Sequence, residues 1–454
     1  MKRFRTCSLD QLFLLPPSMD DWLPEGHLAR FVARMVDELD LSAIVSKYAR
    51  RDGRGKAAYH PVLLVRLLVY GYAVGQRSSR RIERATYDEV PFRYLAAGQH
   101  PDHDTIAAFR QTHLEELAEL FVQVLSLCQK AGLIKLGQIA IDGTKIAANA
   151  STRKSAGYAK LTEREQRFAA EVEKLLQEAQ TVDANEDAQY GHGRRGDELP
   201  EQLATAEKQL VRIRAAKQEL EREARERAEQ TKQEKAAQGG KPRDEAQRKR
   251  WQRASKAKPA GTAQGNLTDP ESRVMKDGAS KRFLQGYNAQ IAVDGVHQCI
   301  VAHAVTQQEN DRQQLAPMIE QVEHNLQSKP ELVTADAGYW NHDRVVAQQQ
   351  AGYDVLVPPD GFSIWRRTGK LPANGARGPV AEKMRERLMT EAGRKQYNRR
   401  CGIVEPVFGL IKEQRGCRRF LLRGLTKVAA EWALLCTVTN LWRLYRYAPQ
   451  AVGA

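Results

Sequence analysis

The chain has 454 residues, 42% of them hydrophobic, and carries 71 lysines and arginines against 56 aspartates and glutamates, a formal net charge of +15. Such a length allows two or three domains with sizeable cores, and the charge favours a polyanionic partner. Six scattered cysteines (Cys7, Cys128, Cys299, Cys401, Cys417, Cys436) without a C-x-x-C argue against a disulfide scaffold or zinc site, and the short apolar runs Leu12–Leu15 and Val62–Val74 argue against a signal core or a membrane span. A reduced, cytoplasmic, bacterial-type protein is the expectation.

Residues 1–130 read as an all-helical N-terminal domain. Pro61 sits where a helix start tolerates it, ahead of Val62-Leu63-Leu64-Val65. Ser78-Ser79 is a cap signal for a second helix bearing Arg80 and Arg81. Asp102 or Asp104 caps a long helix that carries Ile106, Phe109, Leu114, Leu117, Leu120 and Phe121. Short basic helices joined by tight turns suit a helix-turn-helix module, whose second helix, with Arg110 and His113, would enter a major groove. The bland alternative is a basic solvated face.

From Ile134 the period changes. Gln138–Ile141 reads as a strand ending in Asp142, and residues 131–154 as the first part of a mixed α/β core. Residues 155–260 interrupt it. Leu203, Leu210, Ile213 and Leu220 form a heptad stripe on a long charged helix, and Phe168, Val172, Leu175 and Leu176 mark a partner. Together they predict an antiparallel helical hairpin with a loop at Tyr190–Gly196 and a flexible tail, Gly239–Gly265. The core resumes over 261–454. Strands are expected at Gln285–Val293 and Cys299–Val305 around an Asp294-Gly295 turn, then at Leu332–Ala335 and Tyr353–Val357. Helices are expected from Asp311, over His342–Gln350, around Glu405, and over Trp432–Tyr445.

Three carboxylates stand out by their order. Asp142 and Asp336 each end an apolar run, and Glu405 lies on a later helix in Tyr397-Asn398-Arg399-Arg400-Cys401-Gly402-Ile403-Val404-Glu405-Pro406-Val407-Phe408-Gly409-Leu410-Ile411-Lys412. On a helix Glu405, Phe408 and Lys412 share one stripe, with Phe408 toward the core. Between Arg394 and Arg446, twelve lysines and arginines face three acids, a basic surround for an acidic centre. Singly, each acid has a plainer reading: an Asp at a strand end is usually a turn former, and a helical Glu is usually exposed. Asp311, Asp294 and Asp269 read as a helix cap, a turn residue and a loop residue.

An Asp on a first strand, an Asp closing a later one and a Glu on a downstream helix is the order of a DDE phosphoryl-transfer site. The chain resembles a bacterial insertion-sequence DDE transposase with an RNase H-like catalytic core. The Tyr397, Arg400, Glu405, Lys412 run is similar to that family's C-terminal signature, with four residues between Arg400 and Glu405 where the commonest form has three. The likeness extends to Asp142-Gly143-Thr144-Lys145, Gly286–Gln290, Asn310-Asp311, Gly75–Arg80 and Phe420–Gly424. It implies metal-dependent cleavage and strand transfer on double-stranded DNA, at the element's terminal inverted repeats and a target, by a protein that is a homodimer on DNA and nucleoid-associated when acting. Asp142, Asp336 and Glu405 would hold two Mg²⁺ ions (Mn²⁺ substituting), with Asp142 bridging; hard cations of this kind need no His or Cys. Lys145, Tyr397, Arg400 and Lys412 would contact DNA beside the scissile phosphate, and Arg80, Arg81 and Arg110 would contact the element ends. The competing readings are an RNase H-like nuclease without strand transfer and a DNA-binding protein that keeps the fold but not catalysis.

Overall fold

The computed structural model describes residues 18–49, 58–190, 201–237, 257–278 and 281–451. Cys7, Leu12–Leu15, most of the Tyr190–Gly196 loop and most of the Gly239–Gly265 tail lie outside them.

The N-terminal part is helical: α1 Leu28–Asp37, α2 Ser42–Ala49, α3 Pro61–Ala73, α4 Ser79–Asp88, α5 Val90–Leu95, α6 His103–Thr112 and α7 Leu114–Lys130. Helix α3 opens on Pro61, whose missing N–H is harmless at a first helical position, and it is buried on nearly all sides. Asp102 caps α6 by accepting from the Thr105 amide at 2.6 Å. The single long helix expected from here is two helices. His113 leaves the helical region (φ −114°, ψ 38°), its ring buried between Tyr48 and Phe109, and that packing fixes a bend the apolar spacing does not show.

The sheet contains β1 Gln138–Ala147, β4 Arg273–Lys276, β5 Phe283–Asp294, β6 Ile300–Thr306, β7 Leu332–Ala335 and β8 Val355–Leu356, while β2 Ser155–Gly157 and β3 Gln264–Asn266 form a separate ribbon. Strand order is β4-β5-β1-β7-β8, with β6 also on β5. β5 runs antiparallel to β1, and β7 and β8 run parallel to it. This is a mixed α/β, RNase H-like sheet. Strand β1 is longer than its apolar run because Gly143-Thr144-Lys145 stays paired, with Gln290, Ala289 and Asn288 of β5 as partners.

Flanking helices are α10 Leu315–Leu326, α11 His342–Gln350, α12 Phe362–Thr368, α13 Pro379–Met389, α14 Glu391–Gly409 and α15 Leu425–Tyr447. Helix α15 joins the two parts of the molecule. Its Asn440 side chain accepts from the Ile300 amide and donates to the Ile300 carbonyl at 2.7 Å each, and its Trp432 indole donates to the Gln290 carbonyl. One continuous apolar core therefore runs from Leu23 through the sheet to Leu444. Within it Glu431 is buried, accepting from the Leu421 and Leu422 amides and from Arg77, which reaches over from the α3–α4 turn.

Between β2 and β3 the chain makes the expected hairpin, α8 Tyr158–Tyr190 and α9 Glu201–Ala237. Glu165 meets Arg214 and Lys217, and Tyr158 meets Glu221, an antiparallel register. Its ends lie side by side, Ser155 opposite Asn266. A second, small core of Ala156, Leu161, Ile213, Ala216 and Leu220 closes its base. Arg273 of β4 pairs with Glu219 and Glu223, fastening that base to the main sheet.

Candidate active site

The central strands place two acids together. Ile141 of β1 pairs with Ala335 of β7 in parallel register, so Asp142, midway along β1, and Asp336, the first residue past β7, follow side by side. The Asp336 carboxylate also caps the short turn that follows, accepting from the Gly338 amide at 2.9 Å. Both carboxyls are largely buried and both are pushed upward. Burial takes Asp142 to about 6, with Asp336 acting in the same direction and Arg400 against it. Burial likewise raises Asp336, where Arg400 opposes and Asp311 adds.

Helix α14 delivers the rest. Its Gln396 carbonyl accepts from the Gln138 side chain on β1 at 2.8 Å, and Arg400 donates to Asp142 Oδ2 at 3.1 Å. The guanidinium lies 5.7 Å from the half-buried Tyr397 ring. Pro406 interrupts the helix ladder, because it has no N–H for the Gly402 carbonyl; the Gln298 side chain supplies that donor at 2.9 Å. Glu405 is exposed, one turn beyond Cys401. Among the described residues, no three His, Cys, Asp or Glu side chains stand close enough to hold a metal ion. The fold thus brings Asp142, Asp336 and Arg400 together, with Glu405 exposed on the helix that carries Arg400.

The expected stripe of Glu405, Phe408 and Lys412 is altered. The buried face is Ile403, Val404, Val407 and Ile411, with Phe408 half-buried. After Gly409 the helix widens into a π-turn over Leu410–Gln414, and Lys412 turns inward to donate to the Lys145 carbonyl at 3.3 Å. Burial lowers the Lys412 ammonium. It also lowers that of Lys145, against the attraction of Asp311 first and then Glu309, Asp336 and Asp142.

Arg80 and Arg81 are exposed on α4. Arg110 is buried instead, donating to the Tyr72 hydroxyl at 3.2 Å and the Arg77 carbonyl at 3.1 Å, so its guanidinium braces α3 against α6. Near the end of β1 lies a groove of about 480 Å³, its lining including Lys154, Arg419, Arg423 and the exposed Phe283.

Residues read as plain structural acids do more. Asp311 does not cap α10, whose N-cap is Gln314; its carboxylate accepts from Asn288 and Gln290 at 2.6 Å each. Gln290 in turn accepts from the buried Tyr339 hydroxyl on the loop after Asp336. Asp269, expected in a loop, is buried and accepts from the Tyr287 hydroxyl and the Gly424 amide. Asp294 does form the expected turn, accepting from the Val296 amide. The signal for the Asp311 cluster is period two: Asn288 and Gln290 lie on one face of β5, opposite Lys145 and Gly143.

Two transposase family models match the chain, a transposase domain (DUF772) over residues 17–112 and a transposase DDE domain over residues 263–441. The chain belongs to the DDE transposases of insertion sequences. Asp336 and Glu405 of the transposase fall inside the second match, whereas Asp142 and the hairpin lie between the two. Searches of curated proteins and of solved structures returned no match. The DDE domain marks a nucleotidyl-transferase type of enzyme, in a family that typically uses a divalent metal. Among the described residues of the transposase, no helix is long and apolar enough to cross a membrane.

Proposed function

We propose that this transposase binds the terminal inverted repeats of its element as a dimer, cuts the DNA there and joins the ends to a target, with Asp142, Asp336 and Glu405 as its catalytic acids. The observation that carries this reading is that Asp142 and Asp336 directly follow Ile141 and Ala335, which are paired on adjacent parallel strands, beside the helix that bears Arg400 and Glu405. Two largely desolvated carboxylates that repel each other, countered by one guanidinium, suit a divalent cation. A hard cation such as Mg²⁺ is held by one or two carboxylates together with phosphate oxygens, so a third protein ligand need not be in place beforehand. Asp142 and Asp336 would hold the metal, with Glu405 swinging in from α14 as DNA arrives. Two bound Mg²⁺ ions supply an activated oxygen nucleophile and a stabilised leaving oxygen.

The side chains account for the remaining demands. Arg400 neutralises Asp142 until the cation does so, and its planar fork is then free to take a phosphate oxygen pair, with Tyr397 holding its face. Lys145 and Lys412, inside the same cleft, meet phosphates as point charges. The basic groove near Arg419 and Arg423 continues the path for the duplex, and Arg80 and Arg81 present charge to the element ends. Arg110 supports this surface from beneath.

The test is a set of single substitutions assayed on element-end DNA. Asp142→Ala, Asp336→Ala and Glu405→Ala should each reduce cleavage by at least about a thousandfold, while end binding in a mobility-shift assay stays within about threefold of wild type. Activity should require Mg²⁺ or Mn²⁺ and stop with chelator. Cleavage at the wild-type rate by any of these variants removes that residue from the site. Cutting without joined products in a strand-transfer assay would leave a nuclease.

A further inference from the structure

Besides Arg400, the cleft contains a second cation within electrostatic reach of its acids. Lys145 is a largely buried ammonium on β1, three residues beyond Asp142. A bound metal and this ammonium cannot both neutralise Asp142 and Asp336. The structure holds the ammonium elsewhere, 3.8 Å from Asp311 Oδ1.

Asp311 is built to keep it there. Its Oδ1 is fixed by two amide donors, Asn288 Nδ2 and Gln290 Nε2, at 2.6 Å each. The Gln290 amide is fixed in turn: its nitrogen also donates to Asn288 Oδ1 at 3.0 Å, and its oxygen accepts from Tyr339. Asn288 and Gln290 are fully buried. They sit opposite Lys145 and Gly143 in the β1–β5 register, so the clamp is anchored to the strand that carries Asp142. A carboxylate aimed this way is a fixed charge, and at such distances in a partly desolvated cleft a fixed charge decides where a flexible ammonium rests.

We infer that Asp311 is a positioning residue of the catalytic centre, a counter-ion clamped by Asn288 and Gln290 that holds Lys145 away from the Asp142–Asp336 pair, so that a divalent cation has only Arg400 to displace there. This inference rests on the proposed role of Asp142 and Asp336. Asp311 acts through Lys145 and does not ligate the metal.

The experiment measures Mn²⁺ affinity of the full-length protein by calorimetry, without DNA. Asp311→Asn keeps the volume, and its amide oxygen still accepts from Gln290 and Asn288, but the charge is gone. It should weaken Mn²⁺ binding by about tenfold or more, because Lys145 then moves onto the acids. Adding Lys145→Met in the same chain should restore affinity to within about threefold of wild type. Asp311→Glu, which keeps the charge, should stay within about threefold. Loss in D311N without recovery in the double variant would make Asp311 a ligand itself and overturn the inference; so would an unchanged D311N in a protein where Asp142→Asn abolishes binding. Lys145→Met alone gives a check that does not depend on D311N folding. It should leave Mn²⁺ affinity within about twofold, and a large gain would show that Lys145 already competes despite Asp311. If Asp142→Asn leaves Mn²⁺ binding intact, the proposed metal site falls and this inference falls with it.

Discussion

The transposase contains two cores of very different kind. The main one gathers residues from Leu23 to Leu444, so helices that precede the sheet and the helix that ends the chain share a single interior. The hairpin core is five buried residues at the base of two long charged helices. The main core therefore behaves as one cooperative unit, in which a defect anywhere is felt everywhere, whereas the hairpin is a lever clasped at its root by β2, β3 and Arg273. The acids proposed for catalysis are carried by elements of the first; the arm rests on the second.

That contrast can be broken most forcefully at Glu431. Glu431→Ala removes the acceptor for two backbone amides and leaves Arg77 as an uncompensated buried charge. It should destabilise the whole protein by about 3–5 kcal/mol, seen as one lowered thermal transition. A loss confined to part of the molecule would divide the main core in two.

A smaller effect is expected from Ile213→Ala at the hairpin base. Emptying this site should cost about 2–3 kcal/mol locally, opening α8 from α9 while the main transition moves little. Hydrogen exchange would show the faster protons confined to residues 158–237. If the main transition falls as far as it does for Glu431→Ala, the hairpin belongs to the same cooperative unit.

The smallest effect concerns Asp142 in metal-free protein. Burial raises its folded pKa to about 6 from an ordinary 3.8, so between these values the folded state binds more protons than the unfolded one. Its contribution to stability is thus complete below about pH 4 and declines as pH rises through 6. Asp142→Asn, which cannot ionise, should gain on wild type by about 1–2 kcal/mol at pH 7.5 and by nothing at pH 4, read from denaturant midpoints at the two values. Equal differences at both pH values would place the carboxyl in water. Mn²⁺ affinity of the wild type should also weaken as pH falls below about 6, because the carboxyl proposed to hold the metal must lose its proton before it can bind.

Most of the architecture was legible because its signals are periodic. The stripe Leu203, Leu210, Ile213, Leu220 is buried as its heptad spacing requires, and Leu332–Ala335 is the strand its apolar run describes. What escaped depends on long-range contact. The break at His113 follows from aromatic packing with Tyr48, sixty-five positions earlier, which no local pattern encodes. Arg110 looks like a groove-facing arginine until Tyr72 and the Arg77 carbonyl are seen to claim it. Asp311 begins a turn before a helix, as caps do, but its carboxylate is taken by strand β5. The inward turn of Lys412 onto the Lys145 carbonyl also escaped, because the π-turn after Gly409 that redirects it is set by packing.

The contact between Arg77 and Glu431 also has a consequence for the ribosome. More than three hundred residues separate the two, and α15 closes the interior that α3 and α7 begin. The N-terminal helices therefore leave the exit tunnel long before the surface that covers them has been translated. They must wait, sheltered or loosely collapsed, until the last helix docks. A truncated product ending before α15 should be cleared by proteases, which makes translation through α15 a quality gate on every copy that folds.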